Sequence, residues 1–147
     1  MISWTIKKFD DLSVQELYVI LRLRSEVFVV EQNCVFQDMD NKDQQCYHLM
    51  CWNDGLLIAY ARLVPPGISY EEPSIGRVVA PPAVRGNGIG KLLMEKSIEE
   101  VIKLYGKTPI KLGAQLYLKK FYESLGFRQT SDIYNEDGIY HIEMMWQ

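Results

Sequence analysis

The sequence predicts an α+β fold in which one central mixed sheet, mostly antiparallel, carries helices on both faces. Three features predict this class: an antiparallel pair of strands near the N-terminus, a strand–helix–strand–helix–strand order in the second half, and a final hairpin. The 147 residues, of which 48% are hydrophobic and 24% charged, match the size and composition of one globular domain. We therefore expect a single domain that spans residues 1–147.

The first third of the chain predicts a strand, a helix and an irregular segment. Apolar and polar residues alternate over residues 2–9, as they do in a half-buried strand. Ser13, followed three residues later by Glu16, has the capping-box spacing of a helix start. The predicted buried stripe of this helix consists of Val14, Leu17, Tyr18 and Leu21. We expect a short helix or irregular structure over residues 22–43, ending in an exposed polar loop over residues 37–43.

The middle of the chain predicts three strands. Residues 47–52 and Leu56–Val64 form a hairpin, because the Asp54-Gly55 step between them supplies the positive φ angles of a tight turn. Residues 74–80 form the next strand, which stops at two consecutive prolines. A glycine-rich loop follows immediately.

The remaining elements alternate between helix and strand. A long helix begins at the glycine-rich loop, buries one apolar face and closes at Gly106. Residues 110–114 form a strand and residues 116–125 an amphipathic helix that ends before Gly126. Two last strands, residues 127–133 and Ile139–Trp146, lie on either side of a turn.

Charge and cysteine content exclude several classes of function. The net charge of −3 argues against nucleic acid as a partner and suits a cationic or neutral substrate. The chain has no apolar run of about 20 residues and no secretory signal pattern, so we expect a cytoplasmic protein without membrane partners. Cys34, Cys46 and Cys51 form no C-x-x-C pair, so no metal site is expected.

The glycine-rich loop has the features of a diphosphate-binding site. It reads Arg85, Gly86, Asn87, Gly88, Ile89, Gly90 and Lys91. Glycines at alternate positions let the backbone approach an anion, and the following helix adds the positive end of its dipole. Arg85 and Lys91 can neutralise charge on either side. A glycine-rich turn without a ligand is the alternative interpretation of this segment.

The loop does not fit two well-known phosphate motifs. A Rossmann fingerprint would need glycine at Lys91, and a P-loop would need glycine at Arg85 and Ser or Thr at Leu92. The pattern Arg85-x-x-Gly88-x-Gly90, placed after a strand and before a helix, instead resembles the coenzyme-binding loop of the GNAT N-acetyltransferases.

The resemblance extends over nearly the whole chain. Residues 121–127, Phe-Tyr-Glu-Ser-Leu-Gly-Phe, are similar to the second helix-to-strand signature of the same family, and Gln115 lies seven residues before Tyr122. Residues 23–34, 74–79 and 112–115 resemble the ElaA-like branch of the family. The resemblance implies a GNAT fold, with the sheet splayed between its fourth and fifth strands.

The family resemblance also implies a reaction and several site residues. Acetyl-CoA would be the acyl-donor cosubstrate, bound by residues 85–91, by backbone groups at Val78 and Val79, and by Gln115. A primary amine of a small molecule, or a peptide, would attack the thioester directly in a ternary complex. Tyr122 would protonate the departing thiolate as general acid. Open sheet edges are compatible with a homodimer.

The general base is left open by the sequence, because several side chains could take the proton of an ammonium acceptor. The candidates are Glu26, Glu31, His48, Glu71, His141 and Glu143. Glu31 lies in the region that borders the acceptor in the family, and His141 shares a strand face with Glu143. We therefore take Glu31 and His141 as the catalytic candidates beside Tyr122. A sensor that binds acetyl-CoA without turnover is the alternative function.

Overall fold

The computed structural model describes all 147 residues and contains one sheet of eight strands. The strands are β1 (Ile2–Lys8), β2 (Tyr47–Asn53), β3 (Leu56–Val64), β4 (Ser74–Val79), β5 (Ile110–Gln115), β6 (Phe127–Gln129), β7 (Tyr134–Glu136) and β8 (Ile139–Trp146). Their spatial order is β1-β2-β3-β4-β5-β8-β6, and β7 also pairs with β8. Only β4 and β5 are parallel, so the predicted mixed and mostly antiparallel sheet is confirmed.

Helices cover both faces of the sheet, as predicted. They are α1 (Val14–Arg24), α2 (Ile89–Tyr105) and α3 (Lys119–Ser124), and a π-helix (Ser25–Glu31) continues α1. The side chains of β2 alternate between two cores: Leu49 packs with α2 and α3, whereas Met50 packs with α1. The three α-helices include no candidate for a membrane-spanning segment.

Helix α1 begins as predicted but buries a different face. The Ser13 hydroxyl accepts a hydrogen bond from the Glu16 amide at 3.0 Å, and the Glu16 carboxylate accepts one from the Ser13 amide at 2.8 Å. The predicted buried stripe is wrong, because Val14 is 88% exposed and Tyr18 66% exposed. The residues that α1 buries are Ile20, Leu23 and Arg24. The guanidinium group of Arg24 is held inside the protein by carboxylates that come later in the chain.

The polar loop over residues 37–43 is not exposed throughout, contrary to the prediction. Arg24 donates to the Asp38 and Asp43 carboxylates at 2.8 Å each, and Arg62 donates to Asp43 at 3.0 Å and to Asp40 at 2.8 Å. Asp38 and Asp43 are therefore buried. Buried charges of this kind are stable only when they are paired and hydrogen-bonded.

Arg77 completes this network, which we call the Arg/Asp cluster: Arg24, Arg62, Arg77, Asp38, Asp40 and Asp43. Arg77 donates to the Asp38 carboxylate and to its carbonyl oxygen, both at 2.8 Å. Its φ of 48° lies in the left-handed region, where the pairing of β4 with β3 shifts by one residue. The cluster therefore anchors a β-bulge in β4.

The sheet splays between β4 and β5, as the family resemblance implies. One residue pair, Ser74 with Lys111, joins the two strands, and the Lys111 amide also donates to the Pro73 carbonyl at 3.0 Å. Beyond this pair the strands continue to Val79 and Gln115 without further pairing. The result is a cleft that opens toward the C-terminal ends of both strands.

The C-terminal part differs from the prediction in two places. The helix expected over residues 116–125 begins as a 3-10 turn and becomes α-helical only over Lys119–Ser124. The strand expected over residues 127–133 ends as β6 at Gln129, and a separate strand, β7, begins at Tyr134. The division occurs where the Ser131 hydroxyl accepts a hydrogen bond from the Glu143 amide at 2.8 Å, which takes the place of a backbone partner.

Candidate active site

The glycine-rich loop meets the cleft at the start of α2 with its backbone amides open. Gly86 and Gly88 have φ angles of 88° and 77°, which favour glycine. Gly88 is the N-cap of the 17-residue helix α2, and no side chain caps the first turn. The first amide groups of a helix lack partners within the helix and carry its positive dipole end. This segment can therefore hold an anion such as a diphosphate.

The other loop residues have distinct surroundings. Ile89 is buried in the core beneath the loop, and Lys91 is exposed beside it. Gly90 has no positive φ, and a Cβ atom there would lie 3.6 Å from the Phe121 ring, an ordinary contact. The Asn87 side-chain amide donates to the Val84 carbonyl at 3.4 Å, which closes the loop on itself.

Arg85 is bound to Glu31, one of the two residues predicted as general base. The guanidinium donates to both Glu31 oxygens, at 2.6 and 2.7 Å, and to the Ala80 carbonyl at 3.0 Å. This pairing lowers the pKa of Glu31, because Arg85 stabilises its ionised form. The Glu31 carboxylate thus lies beside the glycine-rich loop and stays ionised. This favours a role at the loop over that of a general base.

The neighbouring residue, Gln32, reaches the opposite wall of the cleft. The side-chain amides of Gln32 and Gln115 donate to each other at 3.1 and 3.2 Å. Glu31 thus contacts the loop after β4, and Gln32 contacts the end of β5. We call these two consecutive residues the 31–32 bridge. Gln115, predicted to bind coenzyme, is engaged by this bridge.

Val78 and Val79 follow the bulge, on the part of β4 that has no pairing with β5. Their side chains pack into opposite cores, Val78 against the larger cluster and Val79 within the smaller one. The backbone edge that faces the cleft is therefore not used by a neighbouring strand. Such an edge can hydrogen-bond an extended ligand as a strand would.

Tyr122 lies on α3 beneath the cleft, with its ring buried between other aromatic rings. It makes edge contacts with Phe121 and Phe127, at centroid distances of 5.2 and 5.8 Å. Burial raises the pKa of the Tyr122 phenol to about 12. The phenol is therefore protonated at neutral pH and able to donate a proton or hydrogen bond.

His141 has a geometry that suits a proton acceptor. Its Nδ1 lies 2.8 Å from the Ile139 carbonyl and must be the donor, because a carbonyl oxygen can only accept. In the neutral ring, Nε2 therefore carries the free lone pair. Nε2 lies 3.5 Å from the carboxylate of Glu136, whose side chain is 60% exposed. The strand register places His141 opposite Gln115 at the end of β5.

The other candidate bases have different surroundings. His48 lies against the Arg/Asp cluster, where Nε2 donates to the Asp43 carbonyl at 2.9 Å and Nδ1 accepts from the Tyr60 hydroxyl at 2.6 Å. Burial lowers the pKa of His48, so it is a neutral structural residue. Glu26 pairs with Arg22 on the outer surface of the helix.

Of the two remaining carboxylates, Glu71 is exposed on the loop before β4 and has no ion-pair partner. Glu143 pairs with Lys111 at 3.2 Å. No group of three or more His, Cys, Asp or Glu side chains comes together in a way that could hold a metal ion.

Several residues of the cleft were missed by the sequence analysis. Tyr70, Lys111, Gly113 and Tyr134 lie on the same face of the sheet as His141, and of these only Gly113 falls in a segment that resembles the family. The Arg/Asp cluster did leave a signal. Arg62 interrupts an apolar strand, and a buried arginine requires carboxylate partners.

Comparison with known proteins identifies the family. The family model "Acetyltransferase (GNAT) domain" matches residues 9–147. Protein ElaA of Escherichia coli K12 is 42% identical over 146 residues, covering 98% of this chain and 95% of ElaA, and its crystal structure superposes with a TM-score of 0.93. An acyl-CoA N-acyltransferase structure from Pseudomonas aeruginosa is 43% identical, covers both chains fully and has a TM-score of 0.95.

A more distant structure shares the fold. A GNAT family acetyltransferase from Elizabethkingia anophelis, solved with acetyl-CoA bound, is 15% identical, covers 99% of this chain and 97% of its own, and has a TM-score of 0.67. The full-length matches at more than 40% identity carry the assignment. The chain belongs to the GNAT acetyltransferase family, within its ElaA-like branch.

Proposed function

We propose that this acyltransferase moves the acetyl group of acetyl-CoA to a primary amine of a small-molecule acceptor. The observation that carries the proposal is the splay of β4 and β5 beside an uncapped helix N-terminus. A diphosphate at residues 85–91 leads directly into the cleft, where the unpaired edge of β4 can hydrogen-bond a pantetheine arm.

The acid and base of the proposed reaction lie on different elements around the cleft. His141 Nε2 takes a proton from the acceptor ammonium, directly or through water, and the free amine attacks the thioester carbon. An amide group at Val78 or Val79 stabilises the oxyanion that forms. The C–S bond then breaks, and Tyr122 gives its proton to the departing thiolate. The second proton of the attacking nitrogen is released to water, from which the Tyr122 phenol is restored. The products are an N-acetyl amine and CoA.

The proposal is tested by supplying acetyl-CoA with a broad panel of amines and measuring thiol release. Turnover with at least one amine supports it. Saturable binding of acetyl-CoA without thiol release would instead support the sensor alternative. A Gly88→Glu variant is the control, because a carboxylate at the helix N-terminus repels the diphosphate. A cytoplasmic location and a homodimer stay predictions.

A further inference from the structure

Three segments converge on one side-chain gap in the face of the sheet that carries His141. Gly113 of β5 lies at the centre, and a Cβ atom there would be 3.0 Å from the Tyr134 hydroxyl and 3.4 Å from the Tyr70 hydroxyl. Tyr70 comes from the loop between β3 and β4, and Tyr134 from β7. Gly113 has no positive φ, so its backbone does not require glycine. The missing side chain instead lets the two hydroxyls converge on one point of the sheet, because a Cβ atom there would crowd the Tyr134 hydroxyl.

Both hydroxyls are available to a ligand. Neither makes a hydrogen bond within the chain, and neither is sealed away from solvent. Burial raises the pKa of both phenols, so both are neutral and can donate as well as accept. The Tyr134 ring also stacks on His141 at a centroid distance of 5.8 Å, which links the gap to the proposed base.

Three cations on the elements that border this gap are already compensated. Lys111 pairs with Glu143 at 3.2 Å, and its ammonium lies 5.0 Å from the centroid of the Tyr70 ring. Arg85 is held by Glu31 and Arg77 by the Arg/Asp cluster. The carboxylate of an amino-acid acceptor would therefore have to displace an existing carboxylate from one of these cations.

Charged side chains of both signs near the gap lack a partner of opposite fixed charge. The one nearest to His141 is negative. Glu136 is 60% exposed, and its only ion-pair contact is His141. Two cations on adjoining segments lack a carboxylate partner. Lys42 donates to the Ser69 hydroxyl at 3.1 Å, and Arg128 lies beyond β8 on edge strand β6. A positively charged amine is thus favoured next to the proposed base.

We infer that Gly113, Tyr70 and Tyr134 form the acceptor subsite, and that it selects cationic amines with no carboxylate beside the reacting nitrogen. This inference rests on the proposed function. The two hydroxyl oxygens accept hydrogen bonds from the ammonium group, and the absent side chain at Gly113 lets both hydroxyls reach one point. His141, stacked on Tyr134, then takes the proton that must leave before attack.

Matched acceptors test the selectivity. Thiol release is measured with 1,4-diaminobutane against ornithine and with tyramine against tyrosine, each pair differing by one carboxylate. We expect kcat/KM to be about 10-fold or more higher for the acceptor without the carboxylate, which corresponds to a cost of about 1.4 kcal/mol for displacing a paired carboxylate. Equal or reversed preference would overturn the inference and leave the proposed transferase intact. Absence of release with every amine would overturn the proposed function itself.

Variants test the position of the subsite. Tyr70→Phe and Tyr134→Phe each remove one hydrogen bond, and the added methyl group of Gly113→Ala would displace the Tyr134 hydroxyl. Each variant should raise the acceptor KM by about 10-fold, the value of one hydrogen bond. The KM for acetyl-CoA should stay within about two-fold, since the changes are remote from residues 85–91. Tyr18→Phe, on the exposed face of α1, is the matched control. If the two Tyr→Phe variants fold, as thermal melting reports, and keep the acceptor KM, the subsite assignment is wrong.

Discussion

At the scale of single residues, Tyr122 offers a direct test of the chemistry. Its buried phenol, with a pKa raised to about 12, stays protonated across the assay range. Tyr122→Phe should lower kcat by roughly 10²-fold, the smaller end of general acid catalysis, because thiolate is itself a fair leaving group. The dissociation constant of CoA should be unchanged, as measured by calorimetry. An unaltered kcat would remove Tyr122 from the mechanism.

Glu31 separates two roles in one variant. Glu31→Gln frees Arg85 from its carboxylate partner, so CoA should bind more tightly. The gain should be at most about five-fold, because an exposed ion pair is worth roughly 1 kcal/mol or less. Glu26→Gln, which breaks the pair with Arg22, is the matched control. If Glu31 were the general base, kcat would instead fall by roughly 10²-fold or more.

Single-residue roles were the least predictable part of the site. Sequence reasoning selected His141 as a candidate, but the free Nε2 depends on a hydrogen bond from Nδ1 to the Ile139 carbonyl. The engagement of Glu31 by Arg85 joins residues 54 positions apart. Neither contact follows from a local pattern, because both depend on how distant segments pack.

At the scale of elements, the glycine-rich loop contains its own control. Gly88→Ala places a Cβ atom on a residue with φ of 77° and should cost about 1–2 kcal/mol of unfolding free energy. Gly90 lies inside α2 with helical φ and room for a methyl group, so Gly90→Ala should be neutral or stabilise by up to about 1 kcal/mol. Urea denaturation measures both. Equal destabilisation by the two changes would contradict this account.

Most elements could be predicted from local patterns. The hairpin around Asp54-Gly55, the capping box at Ser13 and the helix after Gly88 appear where turn and cap chemistry indicate them. The orientation of α1 could not be predicted this way. The helix turns the face that carries Arg24 toward the core instead of its apolar stripe, and the partners of Arg24 lie 14 and 19 residues further along the chain. The break between β6 and β7 likewise depends on Ser131, which bonds to a strand 12 residues away.

At the scale of the whole molecule, the Arg/Asp cluster should dominate the response to single charge removals. Arg24 is fully buried, and Arg24→Met would leave the cluster with three carboxylates and only two guanidinium groups, Arg62 and Arg77. The expected loss is about 3–5 kcal/mol of unfolding free energy. Arg22→Met, on the same helix with a side chain 72% exposed, should change stability by less than about 1 kcal/mol. Chemical denaturation of the pair measures the difference, and similar small losses would refute the cluster's role.

The global architecture was predicted from two kinds of evidence. The order of strands and helices predicted a mixed sheet with helices on both faces, since short connections join neighbouring elements. The splay came from the family resemblance alone. No residue pattern marks the separation of β4 from β5 after Ser74, because it depends on the bulge that Arg77 and its carboxylates hold in place.

The 31–32 bridge links the two substrates through one peptide unit. Glu31 and Gln32 share one peptide unit, so a backbone shift that takes Glu31 away from Arg85 also moves the amide pair at Gln115. Gln115 is the residue opposite His141, where the amine reacts in the proposed mechanism. Thermodynamic reciprocity then requires that an acceptor seated there alter the affinity for the donor by the same factor. In the proposed mechanism, two adjacent side chains therefore couple the affinities for the two substrates.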